Sequence, residues 1–219
     1  MKIAFLEEGI HYVVVKKPSC ITILSTGQND KPSLLSLIRI RLGRKIKPIH
    51  RLDKGTVGCC LFAKTDKGTR FFSNIFRQRI IRKIYLAIVE GTFQVLSFRI
   101  LYRLKQDEQK RYQIVDTCGK TATTKVQVLR EFNGFSLVKC EIDTGRMHQI
   151  RIHLSAIGHP IVGDKLYGAK INFGKDTFFL HANSLIFFDI DKRIRYVYAD
   201  FDFYFQKWLY LLESKFCKL

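Results

Sequence analysis

Two β-rich runs, residues 123–132 and 135–143, constrain the fold of this chain more than any other feature. Both are rich in residues that favour strands. The dipeptide Asn133-Gly134 separates them, and Asn-Gly between two such runs indicates a two-residue hairpin with a type I′ turn. The sequence therefore predicts an antiparallel hairpin in the second half of the chain.

Shorter patterns predict the other elements. Strands are expected at residues 10–15, 59–63 and 84–89, the first ending in the basic turn Lys16-Lys17-Pro18. Apolar residues recur at helical spacing over 34–42, after Asp66 as N-cap, and over 148–157. An aromatic tail, with Tyr204, Phe205, Trp208 and Tyr210, is expected to pack in the core as a last helix. Strands and helices in irregular order, with no repeat or linker, predict one α+β domain over residues 1–219.

The charge of the chain indicates a polyanionic partner. Lys and Arg number 38 against 19 Asp and Glu, which gives a formal net charge of +19. Nucleic acid is the default partner for such a charge, and a membrane surface is the alternative. No apolar run approaches the roughly 20 residues needed to span a bilayer, and the N-terminus does not resemble a signal peptide, so we expect a cytoplasmic protein.

One segment is more one-sided in charge than the rest. Residues 67–89 contain six basic residues and no acidic one: Lys67, Arg70, Arg77, Arg79, Arg82 and Lys83. Such a run is often only a solvated face, but the absence of acids in it favours contact with RNA.

The cysteines do not predict a metal site. Six are present, with no C-x-x-C pair and no histidine at the spacing of zinc ligands. We expect reduced thiols that pack as small apolar residues.

Three segments could carry chemistry, although none is decisive alone. They are the block from His50 to Thr56, the strand around Tyr85, and the block from Gly145 to His153. Asp53 could be a turn residue, Tyr85 a core residue, and the third block a solvated surface cluster. A helix beginning after Gly145 would instead present Arg146, His148 and Gln149 at its anion-attracting N-terminus. Arg151 could then reach Asp53 while His148 or Gln149 meets RNA.

Together these segments resemble the signature blocks of the RluA-type pseudouridine synthases, in order and spacing, from about Ile10 to Phe188. The matching residues are His50-Arg51-Leu52-Asp53 with Thr56 and Gly58, Tyr85-Leu86-Ala87-Ile88-Val89-Glu90-Gly91, Gly145-Arg146-Met147-His148-Gln149-Ile150-Arg151-Ile152-His153, and Gly158-His159-Pro160-Ile161-Val162-Gly163-Asp164. Two minor blocks also agree, Val15-Lys16-Lys17-Pro18 and Leu180-His181-Ala182.

The resemblance implies a role for each matching side chain. Asp53 would be the catalytic aspartate, Tyr85 would lie against the target base and help to remove a proton, and Arg151 would pair with Asp53. Arg51 would hold the gap left by the flipped base. The expected RNA-binding and base-binding residues are Arg51, His50, Arg146, His148, Gln149 and Lys17.

The resemblance also implies the rest of the function. We expect a monomeric α+β enzyme with a central mixed, mainly antiparallel sheet, flanking helices and a basic catalytic cleft. It would isomerise uridine to pseudouridine in tRNA or large-subunit ribosomal RNA, with no cofactor, no metal and no separate N-terminal RNA-binding domain. The alternatives are a non-catalytic RNA chaperone on the same fold and, more weakly, a metal-dependent nuclease, which would need clustered acidic ligands.

Overall fold

Strands contribute more residues than helices to this chain, for which the computed structural model describes residues 3–25, 32–43, 45–107, 112–174 and 176–214. In chain order the strands are β1 (Ala4–Glu8), β2 (Tyr12–Lys17), β3 (Lys47–Pro48), β4 (Val57–Ala63), β5 (Arg82–Glu90), β6 (Ser97–Gln106), β7 (Gln113–Val115), β8 (Lys120–Phe132), β9 (Phe135–Ile142), β10 (Leu180–Phe188) and β11 (Ile194–Tyr198). The helices are α1 (Leu34–Leu42), α2 (Asp66–Arg77), α3 (Gln149–Ala156) and α4 (Phe203–Ser214), with a 3₁₀ helix at Lys165–Tyr167. The predicted α+β class, with a mainly antiparallel sheet and flanking helices, is confirmed.

The chain divides into two compact units, and the first comprises residues 1–83 and 182–200. Its strands lie in the order β1-β2-β4-β10, with β3 paired to β4 and β11 paired to β10. Helix α2 packs Phe72 and Ile75 into a core that also contains Tyr12, Leu61 and Phe187. These are large apolar side chains with little exposure, so their removal from water stabilises the unit.

The second unit comprises residues 84–181 and 201–219. Its strands lie in the order β5-β9-β8-β6-β7. The predicted hairpin is confirmed, because β8 and β9 pair with Phe132 opposite Phe135 across the loop Asn133-Gly134. The type I′ turn is wrong: that turn needs a positive φ at both loop residues, and here Gly134 (φ 76°) has one whereas Asn133 does not.

Several predicted boundaries differ in the structure because tertiary contacts override local signals. The expected turn at Lys16 and Lys17 is wrong, since β2 continues through both residues and pairs them with Cys59 and Gly58 of β4. The expected N-cap Asp66 is also wrong. Thr65 is the N-cap, and its side chain accepts a hydrogen bond from the Gly68 amide at 3.0 Å.

The aromatic tail is only partly a core element. Phe205 of α4 is buried, and Trp208 packs against the same cluster. Tyr204 and Tyr210, in contrast, are 70% and 69% exposed, so their predicted burial is wrong. The helix turns one face to the core, and the pattern of aromatic residues alone did not show which of them lie on it.

The described cysteines are free thiols. Cys59, Cys60 and Cys140 are buried as predicted, and burial raises the pKa of the Cys59 thiol to about 12. Cys20 and Cys118 are exposed, which contradicts the expected packing, and Cys217 lies outside the described residues. None of the helices in the described ranges is long and apolar enough to cross a membrane.

Candidate active site

Asp53 lies in a tight turn of unit 1, directly ahead of β4. The Thr56 amide donates to the Asp53 carbonyl at 3.1 Å, which closes a four-residue turn. Leu52 and Thr56 are buried on either side, whereas the Asp53 side chain is half-buried and Arg51 is exposed. The turn therefore anchors its flanking residues in the unit and leaves the carboxylate partly accessible.

Lys17 positions this turn through hydrogen bonds from its side chain. Its side chain is fully buried, and Nζ donates to the carbonyl of Lys54 at 2.9 Å and to that of Pro18 at 2.8 Å. The Lys54 carbonyl belongs to the residue next to Asp53, so the buried ammonium sets the position of the Asp53 backbone. A charged group at such depth is retained only where hydrogen bonds satisfy it. The predicted contact of Lys17 with RNA stays a prediction, and the two hydrogen bonds to Pro18 and Lys54 position the turn.

The ring of His50 is bonded to β4, the strand that follows the Asp53 turn. Nε2 accepts a hydrogen bond from the Leu61 amide at 3.0 Å, and the ring stacks on Phe76 with centroids 4.9 Å apart. Burial, and then the nearby charge of Lys83, lower the pKa of His50 to about 3. The imidazole is therefore neutral near pH 7. Its predicted contact with RNA stays a prediction.

Gly58 lets the backbone after the turn pass close to another strand. Its φ is +120°, and a Cβ at this position would lie 2.2 Å from the Ala182 carbonyl oxygen. A side chain here would collide with backbone, so the glycine of the His50–Gly58 block has a steric cause. This contact fixes the start of β4 and, with it, the end of the Asp53 turn.

Tyr85 and Arg151 belong to unit 2, on β5 and α3. Tyr85 is 8% exposed and lies opposite Cys140 in the ladder between β5 and β9. Arg151 is 6% exposed. Asp53 belongs to unit 1, so the predicted approach of Tyr85 and Arg151 to Asp53 stays a prediction.

The guanidinium of Arg151 is bound to a carboxylate that the sequence reasoning missed. Nε donates to Asp164 Oδ2 at 2.6 Å and Nη2 donates to Oδ1 at 2.8 Å, a bidentate pair in which Asp164 is 1% exposed. The same guanidinium lies over the rings of Tyr167 and Phe178, at 5.0 and 4.4 Å from their centroids. Two hydrogen bonds and two rings leave Arg151 one orientation. Asp164 is the last residue of the fourth signature block, and this position was the signal in the sequence that could have marked it as a site residue.

The residues ahead of α3 form a turn rather than the first helical turn expected. The helix begins at Gln149, and His148 precedes it in the left-handed region with φ 54°. Arg146 therefore lies outside the helix, which corrects the predicted arrangement. His148 Nδ1 lies 3.0 Å from the hydroxyl of Tyr167. The ring of the same tyrosine contacts the Arg151 guanidinium.

Gln149 organises this turn through four hydrogen bonds. Its Oε1 accepts from the Thr144 hydroxyl and the Arg146 amide, at 2.7 and 3.1 Å. Its Nε2 donates to the Thr123 carbonyl and the Thr124 hydroxyl, at 2.9 and 3.2 Å. The amide is fully used inside unit 2, so its observed part is to shape the turn. RNA contacts by Arg146, His148 and Gln149 stay predictions.

The chain matches a family model. Residues 11–156 match the model described as RNA pseudouridylate synthase, a range that contains Asp53, Tyr85 and Arg151. In the described ranges, no group of three or more His, Cys, Asp or Glu side chains is placed to hold a metal ion.

The chain is also similar to known proteins in sequence. It is 33% identical over 193 residues to an uncharacterised RNA pseudouridine synthase of Mycoplasma genitalium, covering 85% of this chain and 62% of that protein. It is 32% identical over 179 residues to the ribosomal large subunit pseudouridine synthase D of Zymomonas mobilis, covering 77% of this chain and 56% of that protein. The chain thus spans about three fifths of the length of these relatives.

A solved structure shares the fold at lower identity. The structure of human RNA pseudouridylate synthase domain containing 4 superposes with a TM-score of 0.80 at 22% identity, covering 96% of this chain and 93% of that one. At this identity the likeness concerns the fold.

Proposed function

Since this chain belongs to the RNA pseudouridylate synthase family, we propose that it isomerises uridine to pseudouridine in structured RNA, with Asp53 as its catalytic group. The observation that carries the proposal is the match over residues 11–156, which contains all three proposed catalytic residues. The substrates are tRNA or large-subunit ribosomal RNA in the cytoplasm, and the enzyme acts as a monomer with a single catalytic domain.

The reaction exchanges one glycosidic bond for another. The bond from the ribose C1′ to the uracil N1 breaks, the base rotates, and C1′ bonds to C5. The proton on C5 leaves for solvent and N1 gains one, so the reaction balances without an electron acceptor or a group donor. The Asp53 carboxylate either attacks the nucleoside or triggers cleavage of the first bond. Because it must be ionised to do so, its backbone position and its surroundings matter.

The internal contacts support these roles. Lys17 fixes the carbonyl next to Asp53, and the bidentate bond to Asp164 holds Arg151 in one direction. A guanidinium held in this way can stabilise a carboxylate such as Asp53 in its charged form without a cost of reorganisation. Tyr85 supplies an aromatic face and a phenol oxygen for the base.

The substrate base must leave its stack to reach the carboxylate. Extrusion of a base costs on the order of a few kcal/mol, which phosphate contacts and an inserted side chain offset. Arg51 is exposed and lies two residues before Asp53, so it is suited to fill the gap that the extruded base leaves. Arg146 and His148 complete the proposed RNA-binding set, with His50, Gln149 and Lys17 acting through the turns that they hold.

The test uses bulk cellular RNA labelled with tritium at C5 of uracil, taken from cells that lack the protein. Wild type should release tritium to water, and Asp53→Asn should release none above background. The matched control is Asp200→Asn, because Asp200 is an exposed acid of the same unit. Equal release by wild type and Asp53→Asn would overturn the role of Asp53.

A second measurement separates the enzyme from an RNA chaperone with the same fold. Cells lacking the protein are complemented with wild type or with Asp53→Ala. Catalysis requires that Asp53→Ala fails. Full rescue by that variant would favour a function that depends on RNA binding alone.

A further inference from the structure

The solvent-facing side of α2 carries a row of cationic side chains that have no role in the proposed catalytic site. Lys67, Arg70 and Arg77 are three and seven residues apart, so at 3.6 residues per turn they share one face of the helix. Phe72 and Ile75 are buried on the opposite face, in the core of unit 1. The packing of the helix therefore directs the row to solvent.

Close contact with His11, the residue before β2, keeps α2 in this orientation. A Cβ on Gly68 would lie 2.2 Å from the His11 carbonyl oxygen, so the two backbones touch at this point. The N-cap Thr65 is in turn bonded to the His11 ring at 2.8 Å. These contacts leave the helix no freedom to rotate the cations toward the protein.

One acid is not enough to neutralise the row. Asp66 is the only acid of α2, and Lys47 already donates to it at 2.9 Å. That hydrogen bond and the charges of Lys47, Arg70 and Lys45 lower the pKa of Asp66. Lys67 and Arg70 form no ion pair among the described residues.

Arg79 is a further exposed cation, two residues after the end of the helix, at a position that usually requires glycine. The Ile80 amide donates to the Ile75 carbonyl at 3.0 Å, and the Arg79 amide donates to the Phe76 carbonyl at 3.1 Å. These two hydrogen bonds are the pattern of a Schellman motif. Arg79 occupies its left-handed position with φ 60°, where a Cβ is strained, and its side chain is exposed. The backbone geometry therefore does not explain an arginine here, and strained positions often mark function.

Helix stability does not explain Lys67 either. A cation in the first turn opposes the helix dipole, and Lys67 and Arg70, three residues apart, repel each other. Arg70 follows Asp66 by four residues, a favourable spacing for an ion pair, but the Asp66 carboxylate is bonded to Lys47. The excess of positive charge on this face therefore attracts a polyanion.

We propose that Lys67, Arg70, Arg77 and Arg79, the α2 stripe, bind the phosphate backbone of an RNA stem outside the nucleotide that reaches Asp53. This inference rests on the proposed function and names a second contact of the same substrate. At a rise of 1.5 Å per residue, Lys67 and Arg77 are about 15 Å apart along the axis. A strand of duplex DNA advances about 3.4 Å per phosphate, and on that scale the stripe is about four phosphates long.

The stripe positions RNA and does not select the uridine. Contacts to phosphates carry no sequence information, so any stem of suitable length can occupy the surface. RNA is favoured over an anionic lipid surface because the apolar face of α2 is buried in the unit. A helix that binds a membrane needs that face for the bilayer.

The test measures the binding of a fluorescein-labelled RNA hairpin over a range of salt concentrations. The variant Lys67→Gln/Arg70→Gln/Arg77→Gln should reduce the slope of log affinity against log salt by about 2 to 3, since each phosphate contact contributes about 0.7 to 0.9. Between 50 and 200 mM salt, wild type should then weaken about 30-fold more than the variant. The charge-conserving control Lys67→Arg/Arg70→Lys/Arg77→Lys should keep the slope.

Arg79→Gly separates binding from folding. Glycine relieves the strain, so this variant should unfold at the same or a higher urea concentration than wild type while its salt slope decreases by about 0.7 to 0.9. The control is Lys192→Gly, which removes another exposed cation at positive φ (62°) in the turn between β10 and β11 of the same unit. It should leave the slope unchanged.

The outcomes distinguish this inference from the proposed function. If the glutamine variant binds the hairpin with the wild-type slope, or binds phosphatidylserine vesicles less well than wild type while RNA binding is intact, the inference is wrong although tritium release can persist. If wild type releases no tritium from RNA, the proposed function fails, and the salt slope still reports whether the stripe binds RNA.

Discussion

The buried pair of Arg151 and Asp164 should be the most sensitive polar contact of unit 2. Asp164→Asn removes the negative charge and one of two hydrogen bonds while keeping the shape of the side chain. The side chains of Arg151 and Asp164 are 7% and 1% exposed, so water screens the pair little. Removing one partner of a buried ion pair costs about 3–5 kcal/mol, because the other charge stays desolvated.

We expect the lower end, about 3 kcal/mol, since Arg151 keeps its contacts with Tyr167 and Phe178. A loss of this size lowers the ratio of folded to unfolded protein about 10²-fold. Urea unfolding can be followed by the fluorescence of Trp208, the one tryptophan of the chain. Trp208 packs against Phe179 in unit 2 and therefore reports on the unit that holds the pair.

The matched control is Asp143→Asn in the same unit. Asp143 lies 3.6 Å from Lys125, and their side chains are 48% and 39% exposed. Exposed ion pairs contribute about 0–1 kcal/mol, so this change should be nearly silent. If Asp164→Asn and Asp143→Asn unfold at the same urea concentration, the pair does not carry the predicted energy and the argument from burial is refuted.

A double replacement separates the structural part of the pair from its catalytic part. Arg151→Met/Asp164→Leu substitutes apolar groups for both charges, which is often neutral or stabilising in a buried site. Stability should therefore return, whereas tritium release should stay lost because the guanidinium is absent. Recovery of both would remove Arg151 from the proposed mechanism.

Two further predictions concern residues that the structure buries. Lys17→Met leaves the Lys54 and Pro18 carbonyls without their ammonium donor, which lowers the stability by about 1–3 kcal/mol for each unsatisfied group. This variant should reduce tritium release more than RNA affinity, and Lys16→Met is the control. His153 is fully buried, and burial lowers its pKa from 6.5 to about 4. Since the unfolded chain binds a proton below pH 6.5 that the folded chain does not accept until about pH 4, the free energy of unfolding should fall in that window by up to about 1.4 kcal/mol per pH unit. Urea titrations from pH 7 to 4.5 should show a shallower fall for His153→Phe, and equal slopes would contradict the assignment.

Much of the fold could be predicted because the signals were local. The hairpin across Asn133-Gly134 and the helix at Leu34–Leu42 follow from turn chemistry and from apolar spacing within a few residues. One error lies where a distant contact changes a local preference. Lys16 and Lys17 are in a strand because β4 offers them partners, although the sequence around them indicates a turn.

The candidate residues could be named from their blocks, but their bonding could not. The contact of Gln149 with RNA stays a prediction, and the structure adds that its amide holds the turn before α3. His50 was assigned to RNA as well, and its ring accepts the Leu61 amide. In both cases the residue type was informative, while the direction of the side chain depended on what packs around it.

The sequence by itself determined the family, the α+β class, the excess of positive charge and the positions of Asp53, Tyr85 and Arg151, since these follow from residue identity and short-range order. Only the tertiary structure decided that Asp164 binds Arg151, that Lys17 is buried under the Asp53 turn, and that Gly58 touches Ala182. The physical reason is range: propensity and periodicity act over a few neighbouring residues, whereas the partner of a buried charge is chosen by packing between segments far apart in the chain.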